Sequence, residues 1–352
     1  MLPPRTETIL KSIVGQYITK ARPVPSQSIT DDNELGVSSA TVRNEMTYLE
    51  EEGYIARPHH SAGSIPLDKG YRHYVETLGD VRLSLAEQQG INHLFHQVEK
   101  DLDEWLNMAA SLIAQMVQNA VIITTPKPQA CQFKHLELVR LQDSLGLIIL
   151  ILNGANVKQE LITFDRAMSQ TELTAIANKL SSTYSGLTGP QILARNAGLI
   201  ALEQQLTDCL LKVMETEDKQ EHEELNLHGL HFTLNQPEFT RNHRIALTLM
   251  ELAEQHTLLR SVIPSELSGE RAQVIIGKEN RTEAIHDYSV VIIHYGLPQE
   301  AVGTIGVIGP TRMPYARTIA TIDYVSSVLS TLAAKLYGRE TTTPEANREN
   351  SD

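Results

Sequence analysis

The sequence has little of several features, and each shortage excludes a class of protein. Only two cysteines, Cys131 and Cys209, occur in 352 residues, far apart and without partners at metal-ligand spacing, so neither a disulfide framework nor a structural zinc site is expected. No apolar run is long enough to cross a bilayer, and residues 1–20 lack the pattern of a signal peptide. We therefore expect a soluble, cytoplasmic protein that does not bind membranes.

The chain also lacks the short motifs of catalytic sites. It contains no G-x-S-x-G, no H-E-x-x-H and no paired catalytic-cysteine signature. The glycines of GTIGVIGP (Gly303, Gly306 and Gly309) do not have phosphate-loop spacing, and Pro310 removes an amide that a phosphate would need. Such glycines are more typical of a strand that packs closely. We expect no enzyme activity and no cofactor.

Two groups of histidines raise the question of a metal site. His59 and His60 are adjacent, and sequence neighbours rarely converge on one ion without further ligands. His222, His228 and His231 lie in the acidic stretch HEELNLHGLH, which has neither a helical i, i+4 pair nor a cysteine. Both groups are more typical of polar surface segments, and we expect no metal.

Basic residues are outnumbered, because 30 Lys and Arg face 43 Asp and Glu, which gives a formal net charge of −13. This balance disfavours indiscriminate binding to nucleic acid, which depends on neutralising phosphates with Lys and Arg. It does not exclude specific binding through one small module, since affinity depends on the local charge at the contact face.

The first 66 residues show the element order of a winged helix-turn-helix. Apolar residues at helical spacing in 9–18 predict an amphipathic helix, a short second helix follows, and Ser38 caps a third helix. The third helix has a buried stripe of Val42, Met46 and Leu49. Residues 54–57 and Ile65 predict a small hairpin. Helix, short helix, helix and hairpin is the order expected of that DNA-binding fold.

The third helix carries side chains that suit the major groove. Arginine can pair with guanine O6 and N7, asparagine with adenine N6 and N7, and alanine or a threonine methyl can pack on the thymine methyl. The alternative is a solvated helix face. The predicted DNA-contacting residues are Gln27, Ser38, Ser39, Ala40, Thr41, Arg43, Asn44 and Thr47, with Arg57, His59, His60 and Ser61 in the hairpin.

Acidic residues on this helix are concentrated at its far end. Glu50, Glu51 and Glu52 would point away from the DNA if the N-terminal residues of the helix met the bases. Glu45 lies between the two ends, where its carboxylate could accept from a cytosine amino group or simply be exposed. The charge distribution thus predicts a docking direction.

The rest of the chain alternates between helical and strand patterns. Residues 85–118 predict one long helix, and 120–124, 134–141, 145–152 and 157–163 predict an antiparallel sheet. Residues 169–263 are helical in pattern, strands return at 272–276, 289–295 and 301–308, and a final apolar-faced helix follows. Strands on both sides of a helical block indicate an α+β domain interrupted by an insertion.

Several segments together resemble one family. They are GVSSATVRNEMTYLEEEGYI and HSAGSIPLDKGYRHYV near the N-terminus, LNQPEF at 234–239, and VGTIGVIGPTRMPYARTIATIDYV at 302–325. These segments resemble HrcA, a family of bacterial heat-inducible transcription repressors. The resemblance implies a homodimer that binds a double-stranded DNA operator, an inverted repeat upstream of chaperone operons. It also implies dependence on the chaperonin GroEL, which heat diverts to unfolded proteins so that repression is lifted.

The resemblance also implies a multidomain α+β architecture. We expect a winged helix-turn-helix domain at 1–79, a GAF-like α+β domain formed by 80–165 and 268–340, and a mainly helical dimerisation insert at 166–267. Residues 341–352 are polar and are expected to form a disordered tail. The alternative function is a metabolite-sensing winged-helix regulator that binds a small ligand in the GAF-like pocket.

One position departs from the family pattern. Relatives usually have arginine in the G-R-I-P turn of the wing, where this chain has Ser64. A phosphate contact from that position would be absent, which should lower the slope of log affinity against log salt by about one unit. Residues 1–79 hold eight Lys and Arg against ten Asp and Glu, a formal net charge of −2. We expect weak non-specific binding and dependence on two half-sites.

Overall fold

The computed structural model describes residues 2–31, 36, 38–59, 62–98, 101–127, 131–153, 157–195, 198–219, 225–254, 271–297 and 301–336. The helices are α1 (Pro4–Lys20), α2 (Ser26–Thr30), α3 (Ser39–Glu51), α4 (Asp68–Glu76), α5 (Leu85–Gln97), α6 (Leu102–Val117), α7 (Gln170–Tyr184), α8 (Gly189–Ala194), α9 (Ala201–Lys219), α10 (Leu230–Leu234), α11 (Pro237–Arg241), α12 (His243–Glu254) and α13 (Tyr315–Leu336). The strands are β1 (Ile55–Ala56), β2 (Ile65–Pro66), β3 (Ala120–Thr124), β4 (Phe133–Gln142), β5 (Leu145–Leu152), β6 (Val157–Thr163), β7 (Leu225–His228), β8 (Gln273–Ile276), β9 (Tyr288–Leu297) and β10 (Ala301–Pro310). Helices and strands are mixed along the chain, as predicted. None of the described helices is both long and apolar enough to cross a membrane.

Two compact units divide the chain. The first unit consists of Met1–Thr125, Leu225–Gly296 and Gly303–Asp352, and the second of Pro126–Glu224 with Leu297–Val302. These bounds differ from the predicted insert at 166–267, because strands β4 to β6 belong to the second unit. The predicted domain roles are taken up below as proposals, and the tail at 341–352 lies outside the described residues.

The N-terminal segment of the first unit contains the elements that its sequence predicts. Helix α1 starts with a proline at its first position, which suits a site whose amide needs no helical partner. It ends at Ala21, whose φ of +49° breaks the helix. Its buried side chains are Thr6, Ile9, Leu10, Ile13 and Val14. Strands β1 and β2 pair antiparallel, with Ile55 opposite Pro66.

The long helix predicted for residues 85–118 is instead two helices, α5 and α6. The Asp101 carboxylate accepts from the amides of Asp103 (2.8 Å) and Glu104 (3.2 Å), so it caps the start of α6. An N-cap aspartate stabilises a new helix start and competes with continuous helix. The apolar periodicity continues across this break, which is why periodicity alone predicted one helix.

A five-stranded sheet with the order β7-β3-β10-β9-β8 forms the centre of the first unit. Because side chains alternate along a strand, its two faces carry different apolar clusters. Val121, Val291 and Ile305 pack on one side in a cluster that also contains Leu106 and Ile113 of α6 and residues of α13. The opposite face packs against α11 and α12, in a cluster formed by Ile122, Phe239, Leu249, Tyr288, Val290, Ile292 and Ile308.

Edge strand β7 was not predicted. It pairs antiparallel with β3, with Leu227 opposite Ile122, in a stretch whose sequence indicated a polar surface segment between helices. Four residues with two leucines give too short an alternation to predict a strand. Strand β7 forms because it pairs with β3, about a hundred residues earlier in the chain.

The second unit has two layers. Strands β4, β5 and β6 form an antiparallel sheet, in which Leu147 of β5 lies opposite Val139 of β4 and Leu161 of β6. One face of this sheet packs on α7 and α9 in a cluster that includes Phe133, Leu150, Leu180 and Leu210. The strands that were expected in one sheet therefore lie in two, since only β3 belongs to the central sheet.

Candidate nucleic-acid interface

Helix α3 starts with a side-chain cap. The Thr41 amide donates to Ser38 Oγ at 3.2 Å, and the two hydroxyl oxygens lie 2.9 Å apart. A serine cap satisfies one of the amides left free at a helix start. Ser38 and Thr41 are therefore engaged with each other, while the residues after the cap are free to face outward.

The exposed face of α3 coincides with the predicted DNA-contacting face. Its exposed residues are Ser39, Ala40, Arg43, Asn44 and Thr47. Val42, Met46 and Leu49 are buried beneath it, as predicted. Among the described residues, Arg43 has no carboxylate within ion-pair distance. Donors and a fixed cation thus point outward from the N-terminal half of the helix.

Arg57 lies against the middle of α3 rather than apart from it. Its guanidinium Nε is 3.2 Å from Glu50 Oε2, and its Nη2 donates to Thr47 Oγ1 at 3.4 Å. The Arg57 amide also donates to Glu50 Oε1 at 3.2 Å. The structure therefore brings three separate positions, Thr47, Glu50 and Arg57, into one group. Glu50 balances the charge of Arg57, a side chain that the sequence predicts to contact DNA.

A second basic side chain meets the acidic end of α3. Lys69 Nζ donates to the Glu52 carbonyl oxygen at 2.7 Å and lies 3.9 Å from its carboxylate. The same ammonium is 4.2 Å from the centroid of the Tyr54 ring, within range of a cation–π contact. Two of the three glutamates at this end are therefore paired, which limits their repulsion of a phosphate backbone.

Glu45 is held inside the N-terminal segment. Its Oε2 accepts from Thr6 Oγ1 of α1 at 2.6 Å, and Thr6 itself is buried. A carboxylate bound in this way ties α3 to α1. Glu45 is therefore not simply exposed, because one of its carboxylate oxygens is engaged by Thr6.

The remaining predicted contact residues lie at the edges of this surface or outside the described residues. Gln27 is exposed, but its amide donates to Asp31 within α2 at 2.8 Å. His59 is exposed at the tip of the β1–β2 connection. His60 and Ser61 lie outside the described residues. The structure brings Arg43, Asn44, Thr47 and Arg57 together, and it leaves Gln27 on a separate helix.

Ser64 is fully buried at the base of the β1–β2 connection. Its backbone exchanges two hydrogen bonds with Val24, each of 2.8 Å, which joins this segment to the chain between α1 and α2. Neighbouring Gly63 allows this approach, because an added Cβ would lie 2.4 Å from the Val24 carbonyl carbon. The serine side chain faces the interior and extends to no surface.

Sequence reasoning missed one exposed aromatic residue on α3. Tyr48 is 41% exposed and follows Asn44 by four residues, so the two share a helix face. Its hydroxyl can donate to a phosphate oxygen. The i, i+4 spacing from Asn44 was a signal that could have identified it.

The other groups considered from the sequence form no site. Among the described residues, no cluster of three or more His, Cys, Asp or Glu side chains could hold a metal ion. His222 lies outside those residues. The interpretation of the GTIGVIGP glycines as close-packing positions is confirmed at two of the three, because a Cβ at Gly303 would lie 2.4 Å from the Tyr295 ring and one at Gly309 would lie 2.1 Å from Asn119, whereas a Cβ at Gly306 would meet nothing within 4 Å.

An open cleft of about 510 Å³ lies in the first unit, at the ends of α1 and α6. Several of its polar side chains are already bonded within the protein. Arg312 bonds to Glu238 and Gln236, and Gln236 donates to the Gln118 carbonyl oxygen at 2.8 Å. Such a cleft offers few polar groups to orient a metabolite, so it does not favour the ligand-sensing alternative.

The chain is similar to proteins of known family over nearly its whole length. A family model described as the HrcA protein C-terminal domain matches residues 103–319. A heat-inducible transcription repressor HrcA from Dehalococcoides mccartyi is 52% identical over 339 residues, covering 96% of this chain and 98% of the relative. One from Roseiflexus castenholzii is 38% identical over 345 residues and covers 96% of each chain.

A crystal structure of a hypothetical protein has a similar fold, with a TM-score of 0.57 and 23% identity, covering 95% of this chain and 98% of that one. This likeness concerns the fold alone. The family match spans more than half of the chain, and the two repressors align with both the α3 segment and the central sheet. The chain therefore belongs to the HrcA family of heat-inducible transcription repressors.

Proposed function

We propose that this chain represses heat-shock chaperone operons by binding an inverted-repeat DNA operator as a homodimer. In this proposal residues 1–79 are a winged helix-turn-helix, α3 is the recognition helix and the β1–β2 connection is the wing. The main support for the proposal is the distribution of charge on α3. Its N-terminal half exposes Arg43 and Asn44, while Glu50 and Glu52 at the other end are paired with Arg57 and Lys69.

Base recognition is assigned to the two exposed fork-shaped side chains. The Arg43 guanidinium matches guanine O6 and N7, and the Asn44 amide matches adenine N6 and N7. Ala40 and the Thr47 methyl supply apolar contacts suited to a thymine methyl group. Because Thr47 Oγ1 donates to the Arg43 carbonyl oxygen at 3.0 Å, its hydroxyl is held against the helix.

The net charge of −2 in residues 1–79 makes a single N-terminal segment a weak ligand for DNA. Few phosphates are neutralised, so the sequence-independent part of the affinity is small. Two segments that bind two half-sites at once compensate for this. A symmetric dimer matches the symmetry of an inverted repeat, and this match is the physical reason for the proposed homodimer.

The outer face of the three-stranded sheet is the surface that we assign to a second copy of the chain. Leu147, Ile149 and Ile151 alternate along β5 on the side away from α7 and α9 and are half-buried. Leu161 of β6 is 65% exposed beside Leu147. Open faces of antiparallel sheets are usually polar. An apolar face of this kind suits a self-complementary contact around a two-fold axis.

Dependence on the chaperonin GroEL is proposed on the basis of the family resemblance. The relatives are named heat-inducible repressors, which fits an activity that is lost when heat occupies the chaperonin. Because the chaperonin binds incompletely folded chains and releases them to fold, its effect should act on the fraction of folded repressor. We expect GroEL to raise the amount of active repressor more than the affinity of each active dimer.

Footprinting on the promoter of the chain's own chaperonin operon, with and without GroEL, tests this proposal. We expect two protected half-sites in an inverted repeat, at a lower total repressor concentration when GroEL is present. Random DNA bound as tightly as the operator would contradict specific recognition. Equal protection of isolated single half-sites would contradict the homodimer, and protection unaffected by GroEL would contradict the chaperonin dependence.

A further inference from the structure

The N-terminal segment is fastened to the central part of the first unit by charged side chains that come from distant parts of the chain. Arg312, between β10 and α13, reaches the last turn of α1. Asp68 and Arg72 of α4 reach the turn after β8. These contacts lie away from the exposed face of α3, so they offer DNA no ligand and have another role.

Arg312 joins three segments. Its Nη1 donates to the Ile18 carbonyl oxygen at 3.2 Å, its Nη2 donates to Gln236 Oε1 at 3.0 Å, and its Nε donates to Glu238. The side chain is only 13% exposed. A cation at the C-terminal end of α1 also interacts favourably with the helix dipole. One buried guanidinium thus attaches the end of α1 to the segment around α11.

Helix α4 makes the second attachment. Asp68 Oδ2 accepts from the Lys278 amide at 3.1 Å, and a Cβ on Gly277, which has a φ of +53°, would lie 2.4 Å from that carboxylate. Arg72 Nη2 donates to the Val274 carbonyl oxygen at 2.6 Å and also pairs with Glu279. Bidentate pairing of this kind fixes direction as well as distance.

A buried aromatic contact separates the two polar attachments. Tyr71 and Tyr315 are 2% and 0% exposed, and their ring centroids lie 6.0 Å apart. The Arg312, Asp68–Arg72 and Tyr71 contacts involve different elements of the central part. Attachment at several separate points restricts rotation of the N-terminal segment as well as its translation.

We propose that Arg312, Arg72 and Asp68 are positioning residues that set the operator half-site spacing accepted by the dimer. The inference rests on the proposed binding of an inverted repeat by a homodimer. One added base pair moves a half-site by about 3.4 Å and rotates it by roughly 35° around the duplex. A segment on a loose tether adapts to that change more readily than a segment fixed to the central part.

The test is a series of synthetic operators in which the spacer between the half-sites is lengthened or shortened by one and two base pairs. Full-length protein and the variants Arg312→Met and Arg72→Met are compared by gel shift. We expect wild type to prefer the native spacer by roughly tenfold or more, the size of a single mismatch effect. In both variants the preference should fall to about threefold or less, with half-site affinity retained.

A matched control is Arg317→Met, since Arg317 of α13 pairs with Glu87 of α5 and does not touch the N-terminal segment. It should keep the wild-type spacing preference. Arg72 is 29% exposed, and its partner Glu279 is less buried than Glu238, the partner of Arg312. Arg72→Met therefore keeps the test valid if Arg312→Met does not fold.

The outcomes separate this inference from the proposed function. Wild type that prefers the native spacer, together with variants that prefer it equally, overturns the positioning role and leaves operator binding intact. Wild type that binds no operator overturns both, whereas wild type that binds operators of all spacer lengths equally overturns the positioning role alone. Relaxed spacing in Arg72→Met and Arg312→Met but not in Arg317→Met supports the inference.

Discussion

Helix α3 and the three-stranded sheet each have one face that no other described element covers, and the side chains on these two faces are opposite in chemistry. The exposed face of α3 carries Arg43 and Asn44, whose donors are arranged in forks. The outer face of the three-stranded sheet carries half-buried Leu147, Ile149 and Ile151. DNA base edges require directional donors and acceptors, whereas contact with a second protein surface is stabilised by burying apolar area. This difference supports the proposal that DNA binds the first surface and a second copy of the chain binds the second.

The two surfaces also differ in what each can contribute alone. Specific contacts from one α3 discriminate between bases but add little affinity, because residues 1–79 have a formal net charge of −2. In the proposed homodimer the sheet face discriminates little between DNA sequences, yet it joins two α3 helices. The proposal therefore attributes operator affinity to the apolar surface and operator specificity to the polar one. This division can be tested one surface at a time.

The largest effect is expected from Ile149→Glu, which places a second carboxylate beside Glu137, between Leu147 and Ile151 of β5. Burying that carboxylate between two copies is strongly unfavourable, so the dimer should dissociate. Loss of simultaneous half-site binding should then weaken operator affinity by about a hundredfold or more. Analytical ultracentrifugation measures the first change and gel shift the second.

The control for that variant is Ala175→Glu, which adds the same charge on the exposed side of α7 in the same unit. It should leave both dimer and affinity unchanged. A dimeric Ile149→Glu protein would show that the second copy binds elsewhere and that the sheet face is not the dimer contact.

The next largest effect is expected on α3. Arg43→Ala and Asn44→Ala should each cost about 1–3 kcal/mol of operator binding and relax specificity at one base pair. Arg43→Lys distinguishes base reading from phosphate contact, since lysine keeps the charge but lacks the fork. Affinities are measured on the operator and on single-base variants of it. Wild-type affinity in both alanine variants would remove α3 from the reading role.

A smaller effect, of opposite sign, is expected from Glu50→Gln. The change removes the carboxylate that pairs with Arg57 at 3.2 Å and frees this cation for a phosphate. The salt dependence of log affinity should steepen by about one unit, with tighter binding at low salt. Glu52→Gln is the control, because its partner Lys69 lies at the C-terminal end of α3, away from Arg43 and Asn44. An unchanged slope would place Arg57 outside the interface.

The smallest effect concerns the attachment of the N-terminal segment at alkaline pH. Burial raises the pKa of both Tyr71 and Tyr315 above the ordinary value of about 10. A raised folded-state pKa means that stability is fully present below pH 10 and is lost as pH rises above it, by up to about 1.4 kcal/mol per pH unit for each group. Chemical denaturation between pH 8 and 11 should show this loss, and Tyr71→Phe should reduce its slope. Equal slopes would contradict the assignment to Tyr71.

Local patterns were sufficient to predict the exposed face of α3. Periodicity placed Val42, Met46 and Leu49 beneath it, and capping chemistry located its start at Ser38. The structure bears out both. The prediction that the chain is not an enzyme is also confirmed, because its relatives are named transcription repressors.

Contacts between distant segments were beyond what the sequence pattern could predict. The engagement of Glu45 by Thr6 and of Arg57 by Glu50 depends on how helices and strands pack, and the pattern of single segments carries no such information. The same limit applies to the sheets. Strands β3 and β4 are neighbours in sequence and have similar compositions, yet they belong to different sheets because the chain leaves the first unit at residue 126.

The place where the second unit leaves and rejoins the first has a kinetic consequence. Thr124 of β3 and Leu225 of β7 are direct partners, so two neighbouring strands enclose a loop of roughly a hundred residues. Closing it costs about 2–3 kcal/mol more than closing a short turn, at about 0.6 kcal/mol per doubling of length. Collapse of the second unit shortens that loop. We therefore expect β7 to join the sheet late in folding, and amide exchange in β7 to report whether the second unit has formed.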